Sequence, residues 1–526
     1  MKIISTYSGH ESNISFYVDG KITVVELDKL YGEKYLKLDL MSAVEQSELI
    51  ELAMDTAGIE NDFDIWVNGS YHGRRNGVLE YRKMENIINA KRMLYGPGHH
   101  ACHAHSAFWQ SPFDRAWLIS SDGGGNDGYF NIYQCTRKTG PTPDEQIDRF
   151  DFGTLYGLIA ALCPQVGKSP AWFYDVAGKA MALAGQLDAK TPHDLKEIVR
   201  SIYSTSKGGF ADLGDYTGVT DISKVNALNI KMSKHKGKFN HFNDQRLGLK
   251  IAKANQEVLE EKYQNIIDDR QYQLGLYEDN LILTGGVALN VANNENLKNH
   301  LKCDVFVPPN PTDGGLSLGG LFWYMHLVGI EVPDQDWKFS GTPLIENVAK
   351  IKKRKRKSSI KTIAKMIKEG AILGIVEGDS ELGPRALGRR SIICDPTNKD
   401  IAKKLNKDIK HREWYRPFAP IMLEEHLEGI ETHSTNNLEH MSYAVKVSLD
   451  FERTYPAVVH VDGTSRVQVC TDKNSTVYKL LKEIGTPLLN TSFNDNGNPI
   501  VSNVEDAYMM LPSLDGIVVN GMLIKG

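Results

Sequence analysis

Short apolar runs and longer amphipathic stretches alternate along the chain. Residues 2–7, 14–18 and 22–27 have the length and composition of strands, and the turn at Asp19 and Gly20 joins the second to the third as a hairpin. The helical period takes over at 42–58, where Ser42 is placed to cap the first turn and Gly58 to close the last. Strand-like runs return at 116–120, 281–284, 305–307 and 371–376, and helical spacing at 154–162, 178–185, 247–267 and 360–368. Residues 204–248 follow neither period. They are polar and locally basic, and read first as a solvated loop and second as an acceptor-recognition insert. Residues 341–359, with a basic run at 350–357, break the pattern again and read as a connection between domains.

Size and composition bound what such a chain can be. Its 526 residues exceed what one core supports, so two or three domains are expected. Apolar residues at 41% and charged residues at 24% are those of an ordinary globular protein. A net charge of −5 argues against a surface given over to nucleic acid, although a local basic patch is compatible with it. The 6 cysteines form no Cys-x-x-Cys pair, which argues against zinc ribbons and disulfide frameworks and for a reducing compartment. The first residues are too polar for a signal peptide, and no run of about eighteen apolar residues is available to span a membrane. The expectation is a cytoplasmic enzyme-sized protein with no membrane partner.

The first candidate chemistry lies at residues 98–108, where His99, His100, His103 and His105 crowd together. His99 and His103 are four apart, so on a helix they share a face and can grip one metal ion. A histidine-rich surface turn is the competing reading. A third ligand has to come from elsewhere, and Asp313, at a strand-to-helix junction in an Asp-Gly-Gly sequence, is the candidate. An N-cap aspartate would look the same. Two Gly-rich turns, Asp122-Gly123-Gly124 and Gly285-Gly286 before Asn290, would let backbone N–H groups approach a phosphate. The aspartates flanking the first turn are also suited to a cation. His10 follows Gly9 where the backbone turns and is placed to face a cleft.

The C-terminal third holds a different signal. Arg385 and Arg390 lie among glycines, and Lys410, Arg412 and Arg416 lie beside prolines, which an amphipathic helix does not explain. Guanidinium forks suit bidentate capture of phosphate or carboxylate. Asn490, Thr491, Ser492 and Asn494 add amide and hydroxyl donors at a strand end. Together these describe an anion site built from several loops.

The motifs, in their order, resemble the O-carbamoyltransferases that act on nodulation factors and antibiotics. The residues that carry the likeness are Gly9-His10, His99-His100-Ala101-Cys102-His103-Ala104, Gly178-Lys179, Gly285-Gly286, Asp313-Gly314-Gly315, Gly383-Pro384-Arg385, Arg390-Ser391, Arg412-Glu413-Trp414, Arg416-Pro417-Phe418, His460-Val461-Asp462 and Asn490-Thr491-Ser492. The resemblance implies an α/β protein. Residues 1–340 would form a two-lobed actin-like (ASKHA) domain, similar to the tRNA threonylcarbamoyl transferase. Residues 341–359 would be a basic linker. Residues 360–526 would form an α/β adenylate-forming domain, similar to the one that makes threonylcarbamoyl-adenylate.

The same resemblance implies roles. The C-terminal domain would make carbamoyl-adenylate from carbamoyl phosphate and ATP, with Mg as the nucleotide's counter-ion. Arg385, Arg390, Lys410, Arg412, Arg416, Asn490, Thr491, Ser492 and Asn494 would hold these substrates. In the N-terminal domain His99, His103 and Asp313 would hold Fe(II) or another divalent metal. Asp122, Gly123, Gly124, Lys179, Gly285, Gly286 and Asn290 would hold the nucleotide, and His10 would take the acceptor hydroxyl's proton. The acceptor would be a sugar or natural-product hydroxyl, or a hydroxymethylated pyrimidine such as 5-hydroxymethylcytosine in DNA. A homodimer is left open. Two positions depart from the family pattern. His105 replaces a small residue and reads as an extra ligand or an acceptor contact, and Arg389 adds charge near the anion site. The alternatives are a tRNA threonylcarbamoyl-type fusion and a non-catalytic actin-like ATP-binding module. A hydrogenase-maturation carbamoyltransferase would bring paired Cys-x-x-Cys fingers, which are missing.

Overall fold

The computed structural model describes residues 1–69, 84–146, 151–166, 172–187, 191–204, 245–274, 280–301, 303–345, 356–431 and 438–525. Most of the insert read at 204–248 and of the basic run at 350–357 lies outside the described residues. The first sheet contains β1 (Ile3–Tyr7), β2 (Asn13–Val18), β3 (Lys21–Glu26), β4 (Phe63–Asn68) and β5 (Ala90–Tyr95) in the order β3-β2-β1-β4-β5. Its first three strands are an antiparallel meander, and β4 and β5 join parallel to β1. The plan then repeats. Strands β6 (Arg115–Ser121), β7 (Phe130–Thr136) and β8 (Gly140–Gln146) form the meander, while β9 (Asn280–Thr284) and β10 (Val305–Phe306) join parallel to β6. Two lobes with this repeated topology are the actin-like arrangement that the opening strands pointed to.

Helices cover both faces of each sheet. The Ala43–Ala57 helix buries Leu49, Ile50, Ala53 and Met54 against the first. Ser42 and Glu45 form a capping box, worth about 1 kcal/mol, and Gly58 closes the helix at φ 66°. On the opposite face the Leu316–Val328 helix packs Leu318, Leu321, Phe322 and Met325 against Ile3, Val24 and Val67. In the second lobe the His99–Gln110 helix takes the equivalent inner place, with Ala104, Ala107 and Phe108 on Ala116, Leu118 and Ile282. These two inner helices cross at Gly319, where any Cβ would overlap the Cys102 carbonyl. That close crossing brings the histidine helix to the residues just before Leu316. Among the described residues no helix is long and apolar enough to cross a membrane.

The C-terminal domain is an 8-stranded mixed sheet. Its strands are β11 (Arg356–Lys357), β12 (Leu373–Val376), β13 (Arg390–Cys394), β14 (Ala419–Met422), β17 (Gln468–Val469), β18 (Leu488–Ser492), β19 (Gly516–Val519) and β20 (Met522–Lys525). Strands β15 (Val445–Lys446) and β16 (Thr464–Ser465) pair separately. The stretch read as a linker is partly built into the fold. Arg356–Lys357 pairs with β20, and buried Thr342 accepts the Glu26 N–H at 3.4 Å.

A buried ion pair fixes this domain to the first lobe. The third strand stops at Glu26, one residue before the run ends in the sequence reading, and Leu27 opens a short helix. Lys29 on that helix lies 2.5 Å from Glu26 and donates to the carbonyls of Glu381 and Gly383 at 3.1 and 2.7 Å. Glu26 in turn accepts the Gly383 N–H at 3.2 Å. Gly383, at φ 94°, has no room for a side chain against Pro309. The loop that carries Arg385 is thereby pressed against the turn that leads to Asp313.

Candidate metal centre and anion site

The histidine helix starts at Gly98 because Asp127 sits directly over it. The Asp127 carboxylate accepts the N–H groups of His100 and Ala101 at 2.8 and 3.1 Å, compensating the positive end of the helix. A side chain at 98 would collide with that carboxylate. With the helix so anchored, His99 and His103 face inward together. Nε2 of each lies 3.3 Å from Asp313 Oδ1. Asp122, at the exit of β6, places Oδ2 2.9 Å from His103 Nε2 and 3.6 Å from His99 Nε2. One ligand atom from each of the four residues falls within 4.8 Å of all the others.

The donor set suits a divalent metal. His99 Nε2 is buried and makes no well-formed hydrogen bond, so an imidazole nitrogen is aimed between two carboxylates at 3.3 and 3.6 Å. Two imidazoles and two carboxylates are ligands for a borderline first-row ion such as ferrous iron. The charges are already mutually compensating. Burial alone would lower His99, but the Asp313 and Asp122 carboxylates outweigh it and hold the imidazole well above its ordinary range. Burial alone would raise Asp313, yet His10, His99 and His103 hold it well below the usual carboxylate range.

Asp313 is positioned from both lobes. Its Oδ2 accepts the Tyr7 hydroxyl at 2.6 Å and lies 3.2 Å from His10 Nε2. Asn13 donates to the Asp313 carbonyl at 2.8 Å and accepts the Ser317 N–H at 2.9 Å. Gly9 lacks a side chain that would strike the Tyr7 hydroxyl. The helix cap at this junction is Thr312, whose hydroxyl accepts from Gly314, so Asp313 is spared for the cluster and is no N-cap.

Several residues of the sequence reading are placed differently. Asp122, read with the nucleotide turn, also lies in the histidine–carboxylate cluster, where it is a candidate fourth ligand. His100 is turned away, with its two nitrogens on Ser120 Oγ at 2.7 Å and the Gly128 carbonyl at 2.9 Å. Its burial pushes it down to about 4. His105 stands outside the four-residue cluster, beside His326. It is buried on the outer side of the helix, accepts from Trp109 Nε1 at 3.3 Å, and is pushed down to about 3 by burial.

The two Gly-rich turns do meet. Gly285, at φ 84°, lies too close to the Ser121 backbone to bear a side chain, and a Cβ on Gly286 would stand 3.1 Å from Asp122 Oδ1. The turn after β9 and the Asp122-Gly123-Gly124 turn thus form one glycine-lined corner beside the metal cluster. Asn290 is committed elsewhere. It caps the Val291–His300 helix and donates to Gln256 at 2.9 Å. Lys179 also leaves this corner, pairing with Glu413 of the C-terminal domain at 2.7 Å.

In the C-terminal domain the arginines divide into two sets. Arg390 is fully buried and donates to the carbonyls of Glu377, Gly378 and Arg389 at 2.8, 2.9 and 3.1 Å. It braces the turn and offers no fork to a ligand. Arg389 does not enlarge the positive field as expected, since it pairs with Asp472 at 3.2 Å and stacks on Phe339. Lys410 donates to the Ser492 and Asn494 carbonyls, both at 2.6 Å, and to Asn494 Oδ1 at 2.5 Å, fixing the end of β18. Asn490 donates to the Ala386 carbonyl at 2.9 Å, and so holds the residue next to Arg385. Ser492 donates to Asn494 at 2.6 Å, and Thr491 pairs with Ile392 across the sheet.

The second set is Arg385, Arg412, Arg416 and Arg466, the last of which closes the stretch from His460 to Arg466. Among the described residues Arg385 and Arg466 have no hydrogen-bonding or ionic partner, and Arg466 Nε is buried. Burial first and Arg416 second push Arg385 down to about 10. Arg466 is held well below the guanidinium range by burial and then by Arg385, Arg412 and Arg416. Arg412, which donates to Asn406 Oδ1 at 2.6 Å, is likewise held well below the guanidinium range by burial and Arg416, while Arg416 lies 3.6 Å from Glu413. Burial and neighbouring cations thus raise the charging cost of Arg385, Arg412 and Arg466, which a bound anion would relieve.

The fold and the two clusters point to a class: an actin-like α/β enzyme with a candidate histidine–carboxylate metal centre, joined to a second domain with a candidate anion site. Comparison with known proteins gives the family. The carbamoyltransferase N-terminus model matches residues 10–321 and the carbamoyltransferase C-terminus model matches 364–525. The chain belongs to the carbamoyltransferase family. Nodulation protein NolNO of Sinorhizobium fredii is 32% identical over 462 residues, 81% of this chain and 63% of that one. The chain therefore spans less than two thirds of that relative's length. Nodulation protein NolO of Bradyrhizobium diazoefficiens is 30% identical, over 81% of this chain and 78% of its own. Among solved structures, HypF of T. kodakarensis aligns with 62% of this chain and 48% of its own at 14% identity and a TM-score of 0.35, too low to carry weight.

Proposed function

We propose that this protein is an ATP-dependent O-carbamoyltransferase that forms carbamoyl-adenylate at the C-terminal arginines and transfers the carbamoyl group at the N-terminal metal centre. The observation that carries the reading is the pairing of a half-buried guanidinium cluster in one domain, in which Arg385 and Arg466 have no partner among the described residues, with a two-histidine, two-aspartate cluster in the other. A simple actin-like ATP-binding module needs no second anion site.

At the first site Arg385, Arg412, Arg416 and Arg466 bind the phosphates of carbamoyl phosphate and of ATP carried with Mg. Water splits carbamoyl phosphate to carbamate and phosphate. A carbamate oxygen then attacks the α-phosphorus of ATP, forming the mixed anhydride and displacing pyrophosphate. One water is consumed, and one phosphate and one pyrophosphate are released. The mixed anhydride is sensitive to water, so enclosure between the domains protects it.

At the second site the glycine-lined corner of Gly123, Gly124, Gly285 and Gly286 admits the adenylate phosphate close to the backbone. His99, His103, Asp122 and Asp313 would hold the divalent ion, Fe(II) in this proposal, which supplies Lewis acidity toward the carbamoyl oxygen. His10 takes the proton of the acceptor hydroxyl as its oxygen attacks the carbamoyl carbon. The bond from that carbon to the AMP oxygen breaks, and AMP leaves. The acceptor proposed is a sugar or natural-product hydroxyl. DNA bearing 5-hydroxymethylcytosine, an acceptor the family resemblance implies and the basic stretches at 204–248 and 350–357 keep open, serves as one arm of the test; most of both stretches lies outside the described residues.

The test supplies the protein with Fe(II), ATP, labelled carbamoyl phosphate and a panel of hydroxyl acceptors. Labelled carbamate ester and stoichiometric AMP are expected only with ATP and a competent acceptor together. Consumption of carbamoyl phosphate at the same rate without ATP would contradict the proposal.

A further inference from the structure

The Trp172–Ala184 helix carries two acid–base contacts, one turn apart, that reach opposite halves of the molecule. Asp175 Oδ1 lies 2.7 Å from Lys34 Nζ and accepts the Tyr35 hydroxyl at 2.8 Å, tying the second lobe to the first. Lys179, four residues on and so on the same face, pairs with Glu413 of the C-terminal domain. Glu413 in turn lies 3.6 Å from Arg416 of the guanidinium cluster. Just beyond the helix, Gly185 is packed so tightly on His460 that it has no room for a side chain, and Gln186 is 3.1 Å from the His460 ring. Tyr415 donates to the Gln165 carbonyl at 3.0 Å.

Burial first, then Asp175 and Glu11, hold the Tyr35 hydroxyl well above the ordinary phenol range, with Arg416 acting in the opposite direction. Glu11 accepts the N–H of Gly314, beside Asp313, at 3.2 Å. The Tyr35 backbone is left-handed, at φ 60°, which is costly for a bulky side chain and persists only where surrounding contacts impose it. The Asp175 contact is such a constraint.

We infer that Asp175, through Lys34 and Tyr35, is a positioning residue that aligns the metal centre with the arginine site, so that the intermediate made at one is delivered to the other. The inference rests on the proposed two-site reaction. Asp175 touches no reacting atom in it, so each half-reaction survives its loss while their coupling does not. Without alignment, adenylate escapes to water, and AMP accumulates without carbamoylated product.

The experiment measures the ratio of carbamoylated product to AMP for wild type, Asp175→Asn, Asp175→Glu and Tyr35→Phe, with thermal melting as a check of folding. For Asp175→Asn the ratio is expected to fall roughly tenfold, the scale of one lost charge-assisted contact. AMP formation should stay within about twofold of wild type, since no phosphate contact is removed. Asp175→Glu should restore part of the ratio. Should Asp175→Asn fail to fold, Tyr35→Phe carries the same readout with a smaller expected fall. An unchanged ratio in the folded variants overturns the inference, as does a loss of AMP formation equal to the loss of product. Absence of carbamoyl phosphate-dependent AMP in the wild-type protein would instead end the two-site reading and the inference with it.

Discussion

Tyr7 donates a 2.6 Å hydrogen bond to one carboxylate oxygen of Asp313, while the other oxygen faces His99 and His103, each at 3.3 Å. The phenol lies on the first strand of the first lobe and the histidines on the inner helix of the second. The carboxylate between them is therefore oriented by one lobe for a site completed by the other. Outer partners of this kind commonly set metal affinity by about ten- to a hundredfold. Tyr7→Phe should weaken Fe(II) binding by about tenfold with little change in melting temperature. A metal titration with an unchanged dissociation constant would show that the hydrogen bond is structural only.

Four histidines crowd one helix, and the geometry separates their roles. His103→Ala should abolish stoichiometric metal, since it removes a ligand from a four-member set. His100→Ala should keep the metal and lose about 1–3 kcal/mol of stability, because it leaves Ser120 and the Gly128 carbonyl buried without a partner. Metal analysis after gel filtration, with a thermal melt, checks both. Equal metal loss in the two variants would refute the assignment.

Arg466 and Arg390 should respond in opposite ways. Arg466→Ala removes a half-buried cation that lacks a partner among the described residues, so stability should hold or rise while carbamoyl phosphate-dependent AMP formation falls by at least about tenfold. Arg390→Ala leaves several carbonyls buried and unpaired, so it should destabilise by about 3 kcal/mol or more before any effect on catalysis is measurable. Chemical denaturation beside a pyrophosphate-release assay distinguishes them.

Glu260 gives a pH prediction away from the metal. It lies in the second lobe, accepts from Gln256 at 2.7 Å, and is pushed up to about 7 by burial. A carboxyl raised in the folded state stabilises the protein fully below its unfolded value. That contribution is lost as pH rises through the folded value. Melting temperature should therefore decline between about pH 4.5 and 7, and Glu260→Gln should flatten that part of the profile. An identical profile in the variant would show that other groups control it.

Local sequence made the opening strands and the histidine pair legible, because a strand meander and an i, i+4 spacing are short-range patterns, whereas the two-lobed plan came from the family resemblance, with β4, β5, β7 and β8 unread. Asp313 was legible through its Asp-Gly-Gly setting. Asp122 was read with the nucleotide turn and also as suited to a cation, because an aspartate at the end of a strand suits a phosphate turn and a metal equally; the fold brings it to His99, His103 and Asp313. The arginines show the same limit. A motif does not reveal whether a guanidinium is spent on backbone carbonyls, as Arg390 is, or left for a ligand, as Arg385 is.

The most direct measurement is pyrophosphate release driven by carbamoyl phosphate in a His99→Ala/His103→Ala double variant, run beside product formation with a competent acceptor. The account predicts that pyrophosphate release remains near the wild-type rate while carbamoyl transfer disappears. Loss of both in parallel, in a protein that still melts cooperatively, would contradict two separate sites working in series.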